Sequence, residues 1–130
     1  MLLKFSTNSE DDIDPALDIL RESTSEGMDF FQPPQFLTEV AAVLTRLDPE
    51  CALQNADDLA ALNITWAEPT VAYAKAIELA SSLNRHPFDT LYHALALTIP
   101  GAVLVTADRR YFDKTRQLGQ IAWLPVFSTA

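Results

Sequence analysis

Two hydrophobic rhythms alternate along the chain. Apolar runs of strand length stand at residues 2–5, 30–31, 64–66, 102–106 and 121–124. Between most of them, apolar residues return every three or four positions, the spacing of one helix face. A first helix is predicted from Asp14–Pro15 to near Gly27, with Ala16, Leu17 and Leu20 inward. Pro33–Pro34 starts a second, in which Phe36, Leu37, Val40, Val43, Leu44 and Leu47 form the stripe and Asp48–Pro49 the stop. A polar, alanine-rich helix follows to about residue 62. Glu68–Pro69 opens a long helix to Leu83, with Val71, Ala72, Ala76, Ile77 and Leu79 expected on its core side. His86–Pro87 opens another, carrying Phe88, Leu91, Tyr92, Leu95 and Ile99, and Asp108 opens a last one that Gly119 closes. Strands alternating with helices predict an α/β domain with a mainly parallel sheet of four to five strands. Such a sheet forms its sites at the carboxyl ends of its strands.

Length and composition narrow the picture. The chain has 130 residues, 48 % of them apolar and 21 % charged, and reads as a single domain over 1–130. Its net charge is −9, which opposes non-specific nucleic-acid binding through basic surface alone. The acids crowd the front, from Glu10 to Asp29, whereas bases outnumber acids after residue 85. The front acids read as a solvated face. Gly27, Gly101 and Gly119 are the only glycines, so neither a G-x-G-x-x-G nor a Walker A loop can be written. Cys51 stands alone, which excludes an internal disulfide and a multi-cysteine zinc site. The longest apolar stretch, 94–107, is broken by Pro100–Gly101 and is too short to cross a bilayer. With no signal-peptide pattern after Met1, the expected compartment is the cytoplasm, with no membrane partner.

Three acids stand where chemistry could use them. Glu39 lies at the edge of the second helix's apolar stripe, Asp89 in the first turn of its helix, and Asp108 directly after the β-branched run ending at Thr106. Each has a plain structural reading. Asp108 suits a helix N-cap, Asp89 favours a helix dipole, and Glu39 is an ordinary boundary residue. Brought to one sheet edge, however, three carboxylates would repel unless a cation lay between them. An all-oxygen donor set suits Mg²⁺ or Mn²⁺. Bound cations would also reconcile an acidic protein with a phosphodiester substrate.

The same residues carry a resemblance. Phe88-Asp89-Thr90-Leu91-Tyr92-His93-Ala94-Leu95-Ala96 resembles the Asp-x-x-Tyr-x-Ala-Leu-Ala helix of PIN domains. Leu104-Val105-Thr106-Ala107-Asp108-Arg109-Arg110-Tyr111-Phe112 resembles their Thr-x-Asp-x-x-Phe signature, and the stretch from Pro33-Pro34 to Glu39-Val40 their Pro-x-x-x-x-Glu-Val element. Order and spacing agree over about residues 4–127, and the likeness is to the VapC-like ribonucleases of toxin–antitoxin pairs. The resemblance implies a three-layer α/β/α sandwich, acids that hold Mg²⁺ or Mn²⁺, and RNA hydrolysis. It further implies an antitoxin partner and a homodimer. Glu39, Asp89 and Asp108 match the family's metal-site acids, Thr106 its hydroxyl, and Asp113 is the one candidate for a further acid.

One departure stands out. The family's first strand ends in an aspartate, and this sequence has none there. On one reading, 4–12 matches the segment just after that motif, so the chain starts one strand late. On the other, 1–5 is the first strand and Ser6-Thr7-Asn8 stands where Asp-Thr-Asn would be. Either way a principal ligand is missing, and weak metal binding with poor RNA cleavage is expected. The rival is a PIN-like binding module that has lost cleavage. His93, four residues after Asp89, could touch it but reads as structural, and Cys51 has no partner suggesting a nucleophile. Trp66 and Trp123 read as packing residues. Arg109, Arg110, Lys114 and Arg116 could meet RNA phosphates, although Lys114 and Arg116 suit the end of their helix equally.

Overall fold

A computed structural model describes residues 2–4, 18, 30–61 and 64–126. Strands β1 (Leu2–Lys4) and β2 (Phe30–Gln32) are followed by helices α1 (Phe36–Leu47) and α2 (Ala52–Ala60), then by β3 (Ile64–Trp66). A 3-10 turn over Pro69–Ala72 leads into α3 (Tyr73–Leu83), which is followed by α4 (Pro87–Thr98) and β4 (Leu104–Thr106). Helix α5 (Arg109–Thr115) continues as a 3-10 turn over Arg116–Leu118 into β5 (Ile121–Trp123). The fold is mixed α/β, and every strand pairing is parallel. None of the described helices is long and apolar enough to cross a membrane.

The strands form two sheets, one ordered β1-β4-β5 and the other β2-β3. Thus no hydrogen-bonded sheet of four or five strands joins the described residues. The strands β1 and β2 nevertheless run side by side, with Cα atoms within 8 Å. Lys4, Thr106 and Trp123 share one register row, so the three-stranded sheet ends on a common carboxyl edge. Leu2–Lys4 is therefore a strand of the sheet, as in the second reading of the N-terminus. Ser6, Thr7 and Asn8 lie outside the described residues, as does the expected first helix apart from Asp18, which is helical and exposed.

The core gathers around α4. Seven consecutive residues, Thr90 to Ala96, are buried, as a helix enclosed on all sides requires. Strand β4 is buried at all three positions, which fits its unbroken apolar run and its place between two neighbours. Phe30, Phe36, Val40, Leu44 and Leu104 complete the centre. Helix α3 packs on α4, and the Thr90 hydroxyl ties them by donating to the Ala76 carbonyl at 2.7 Å.

The helix after Glu68 corrects two expectations. Its first turn is 3-10, and its buried stripe is Ala72, Ala76, Leu79 and Ala80. Val71 and Ile77 fall off that stripe and are 73 % and 57 % exposed. Phe88 also faces out, stacked on the His86 ring, while the His86 Nδ1 caps α4 by accepting the Phe88 N–H. The last helix likewise ends as α-helix at Thr115 rather than running to Gly119.

One cap involves the far side of the sheet. Gln120 adopts a left-handed backbone (φ 53°), and its side-chain amide donates to the carbonyls of Ala96, Ile99 and Ala102. Ala96 lies in the last turn of α4 and also accepts the Ile99 N–H, as Ile99 accepts the Ala102 N–H. Gln120→Ala should lower stability by about 1–3 kcal/mol, because the Ala102 carbonyl loses this donor while Ala96 and Ile99 keep a backbone one. Urea unfolding checks this, and an unchanged midpoint would mean that water satisfies the Ala102 carbonyl.

Candidate functional site

Asp108 begins just past the carboxyl end of β4, two residues after Thr106. Its N–H donates to the Thr106 hydroxyl at 3.1 Å. Its Oδ1 accepts the Tyr111 N–H at 3.0 Å, which makes it the N-cap of α5, as its sequence position predicts. Its Oδ2 accepts from Arg85 at 2.6 Å. Each carboxylate oxygen thus has a donor.

Arg85 arrives from the end of α3. Asn84 turns the chain through the left-handed region (φ 53°, ψ 51°), and the Asn84 and Arg85 N–H groups both donate to the Ala80 carbonyl. Asparagine tolerates that conformation better than most residues. The turn brings the guanidinium against Asp108 and over the Tyr111 ring, 5.4 Å from its centroid. The Arg85 and Asp108 side chains are 22 % and 30 % exposed. The Arg85 Nε is buried and has no hydrogen-bond partner among the described residues.

Helix α4 carries Asp89 and meets Glu39. Asp89, Tyr92 and His93 stand at i, i+3 and i+4 on one helix face. Tyr92, fully buried, donates its hydroxyl to Glu39 Oε2 at 2.7 Å. Burial, and then the Glu39 charge, hold the Tyr92 phenol far above its ordinary range. It therefore stays a donor.

His93 reaches the other way. Its Nε2 lies 2.9 Å from the Gly119 carbonyl and its Nδ1 3.1 Å from the Tyr111 hydroxyl. A carbonyl can only accept, so the proton sits on Nε2, and Nδ1 accepts from Tyr111. Burial lowers the His93 pKa, and the neutral imidazole is the form that the site holds. Burial also raises the Tyr111 phenol; Arg85 pulls it down, while Asp89 and Asp108 both push it up. Tyr111 thus feels both carboxylates as well as the arginine. His93 proves to be a strut between α4, α5 and the turn before β5.

As donors, the three acids fit a hard divalent cation: all are carboxylates and all are only partly buried. His93 is buried and committed at both nitrogens, so it adds no ligand. In the arrangement described, the acids do not close into a cage. Among the described residues, no three Asp, Glu, His or Cys side chains meet closely enough to hold a metal ion. Arg85 supplies the positive charge at Asp108. Asp113 is engaged elsewhere, with both oxygens 3.1 Å from the Nε of Arg109. Arg109 also covers the Trp123 ring at 4.3 Å, and Arg116 lies over Phe112.

Arg85 is the member that sequence reasoning did not single out. The available signal is its isolation, since no other Lys or Arg stands between Lys75 and Arg109. A separate open groove of about 290 Å³ lies between α3 and the start of α4, lined by Gln35, Tyr73, Ala76, Ile77, His86 and Phe88 among others. None of the three acids lines it. Comparison of the chain with family profiles, with curated proteins and with solved structures finds no match.

Proposed function

We propose that the chain is a PIN-type domain of the VapC-like class, a metal-dependent endoribonuclease of low activity and the toxin half of a toxin–antitoxin pair. The observation that carries this reading is the α4 face. Tyr92 on that face donates to Glu39, His93 on it meets the Tyr111 hydroxyl, the Tyr111 N–H donates to Asp108, and Asp89 stands one turn before Tyr92 and His93. Two of the three acids singled out by the resemblance, Glu39 and Asp108, are thereby hydrogen-bonded to residues on or against α4, the helix that carries Asp89. Parallel strands, with β1 beside both β4 and β2, support one sheet ordered β3-β2-β1-β4-β5 within an α/β/α sandwich.

In this reading Glu39, Asp89 and Asp108 would hold Mg²⁺ or Mn²⁺, and the cation would supply charge neutralisation at a phosphodiester and a more acidic water. The chain's own residues set the geometry. Tyr92 orients Glu39, the N-cap bond fixes Asp108, and Thr106 anchors the Asp108 backbone. No side chain acts as a covalent nucleophile. The exposed apolar groove beside α3 gives an antitoxin or a second copy a surface to cover.

A PIN-like module that binds without cutting is the second reading. The Arg85 contact favours it, because Asp108 is already neutralised. The test is cleavage of a mixed RNA pool by the full chain with and without Mn²⁺. The nuclease reading expects weak, Mn²⁺-dependent cleavage that Asp89→Asn reduces by more than the about 10–100-fold typical of losing an outer partner. Absence of cleavage, with RNA or protein binding retained by the folded chain, selects the second reading.

A further inference from the structure

We propose that Arg109, Arg110, Lys114 and Arg116, on and just after α5, form the surface that holds the sugar-phosphate backbone of single-stranded RNA. The inference rests on the RNA part of the reading above, not on cleavage, and adds where the strand lies.

Positive charge is concentrated here against the trend of the chain. Four of the nine Lys and Arg residues fall between Arg109 and Arg116, where Asp113 is the one acid, in a protein of net charge −9. All four side chains are exposed. Arg110 and Lys114 stand one turn apart on one helix face. Among the described residues, neither side chain has a charged partner. Lys114 and Arg116 suit the C-terminal end of a helix, but Arg109 and Arg110 occupy the first turn, where the dipole opposes a cation. Helix stability therefore does not account for the cluster. A polyanion laid along it does, because each phosphate neutralised releases counterions.

Two of the arginines are also held as planes. Arg109 lies over the Trp123 ring at 4.3 Å and Arg116 over the Phe112 ring at 5.6 Å. Asp113 steadies Arg109 through its Nε. The ring covers one face of each guanidinium, and the arginine remains exposed on the other side. A guanidinium plane supported in this way accepts a stacked base, while its N–H edge reaches a phosphate. An acidic polypeptide would use the charge alone. Unpaired nucleotides use both the charge and the plane, so the chemistry fits an RNA strand.

The surface is continuous with the candidate site. Asp108 caps α5 immediately before Arg109, and Trp123 ends β5 in the register row of Thr106. A strand lying on α5 is thereby led to the carboxyl edge of the sheet.

The test uses the full chain and a short, end-labelled oligouridine, in EDTA so that nothing is cut, with anisotropy read across a salt series. Arg110→Gln/Lys114→Gln should weaken binding about 25-fold at about 0.1 M salt. It should lower the slope of log affinity against log salt by about 1.4, the value for two phosphate contacts on a single strand. Arg46→Gln/Lys75→Gln removes the same charge elsewhere on the exposed surface and should leave the slope unchanged. Thermal unfolding verifies that both variants are folded. Equal weakening in the two variants, or no weakening in the first, overturns the inference and leaves the RNA reading intact. An oligoglutamate of matching length that competes as well as unlabelled oligouridine also overturns it and assigns the surface to an acidic polypeptide. No binding of oligouridine by wild type removes the RNA reading and the inference together. The nuclease reading fails separately, when Mn²⁺ brings no cleavage to a chain that still binds RNA through this surface.

Discussion

Tyr92→Ala should cost about 3–5 kcal/mol, the range for removing a buried aromatic side chain. The phenol is fully enclosed at the centre of α4, among the residues that build the main core. Against a total stability of about 5–15 kcal/mol for an ordinary domain, that is a large share. Tyr92→Phe separates packing from the hydrogen bond. It keeps the ring and removes only the donor to Glu39 Oε2, so the expected loss is about 1.5–3 kcal/mol, the range for a bond to a charged group. Urea unfolding of the two variants reads both values. A Phe variant as stable as wild type would mean that Glu39 turns to water at no cost. If the nuclease reading holds, Tyr92→Phe also reduces RNA cleavage while Mn²⁺-free stability stays measurable, because Glu39 loses its orienting partner.

The second large effect is at His93. His93→Phe leaves the Tyr111 hydroxyl and the Gly119 carbonyl without their present partners. At about 1–3 kcal/mol for each group left unpaired, the expected cost is about 2–6 kcal/mol. His93→Gln should restore most of it, since an amide can donate to Gly119 and accept from Tyr111. The same residue makes stability depend on pH. The folded-state pKa lies below the ordinary 6.5 because burial disfavours the imidazolium. Between the lowered value and 6.5, the unfolded chain binds the proton and the folded chain does not. The His93 contribution is therefore complete above pH 6.5 and declines as pH falls through that window. It is fully lost below the folded-state pKa. Thermal midpoints across mildly acidic pH should fall more steeply in wild type than in His93→Gln. Parallel curves would place the titration elsewhere.

The two variants also show why part of the site escaped the sequence. Asp108 was legible as an N-cap because capping depends on neighbours three residues apart, and its bond to the Tyr111 N–H has that local form. The burial of Tyr92, Leu95 and β4 was legible from periodicity and β-branching. Val71 and Ile77 are apolar but face out, because each stands next to a buried alanine, Ala72 or Ala76, and a helix turns about 100° per residue. His93 offered only an i+4 relation to Asp89, whereas its partners lie 18 and 26 residues away. Arg85 carries no local signal for the same reason: its carboxylate partner is 23 residues distant, across a helix and a strand.

By itself the sequence determined the alternation of strands and helices, the parallel pairing that alternation demands, and the three acids at helix starts and strand ends. These follow from spacing and local capping, which act over a few residues. Only the tertiary structure decided what each acid meets: Tyr92 at Glu39, and Arg85 with the Tyr111 N–H at Asp108. It also decided that the described strands hydrogen-bond as three and two. The reason is physical. A side chain's charge state and partners depend on burial and on groups distant in the chain, and only packing brings those together.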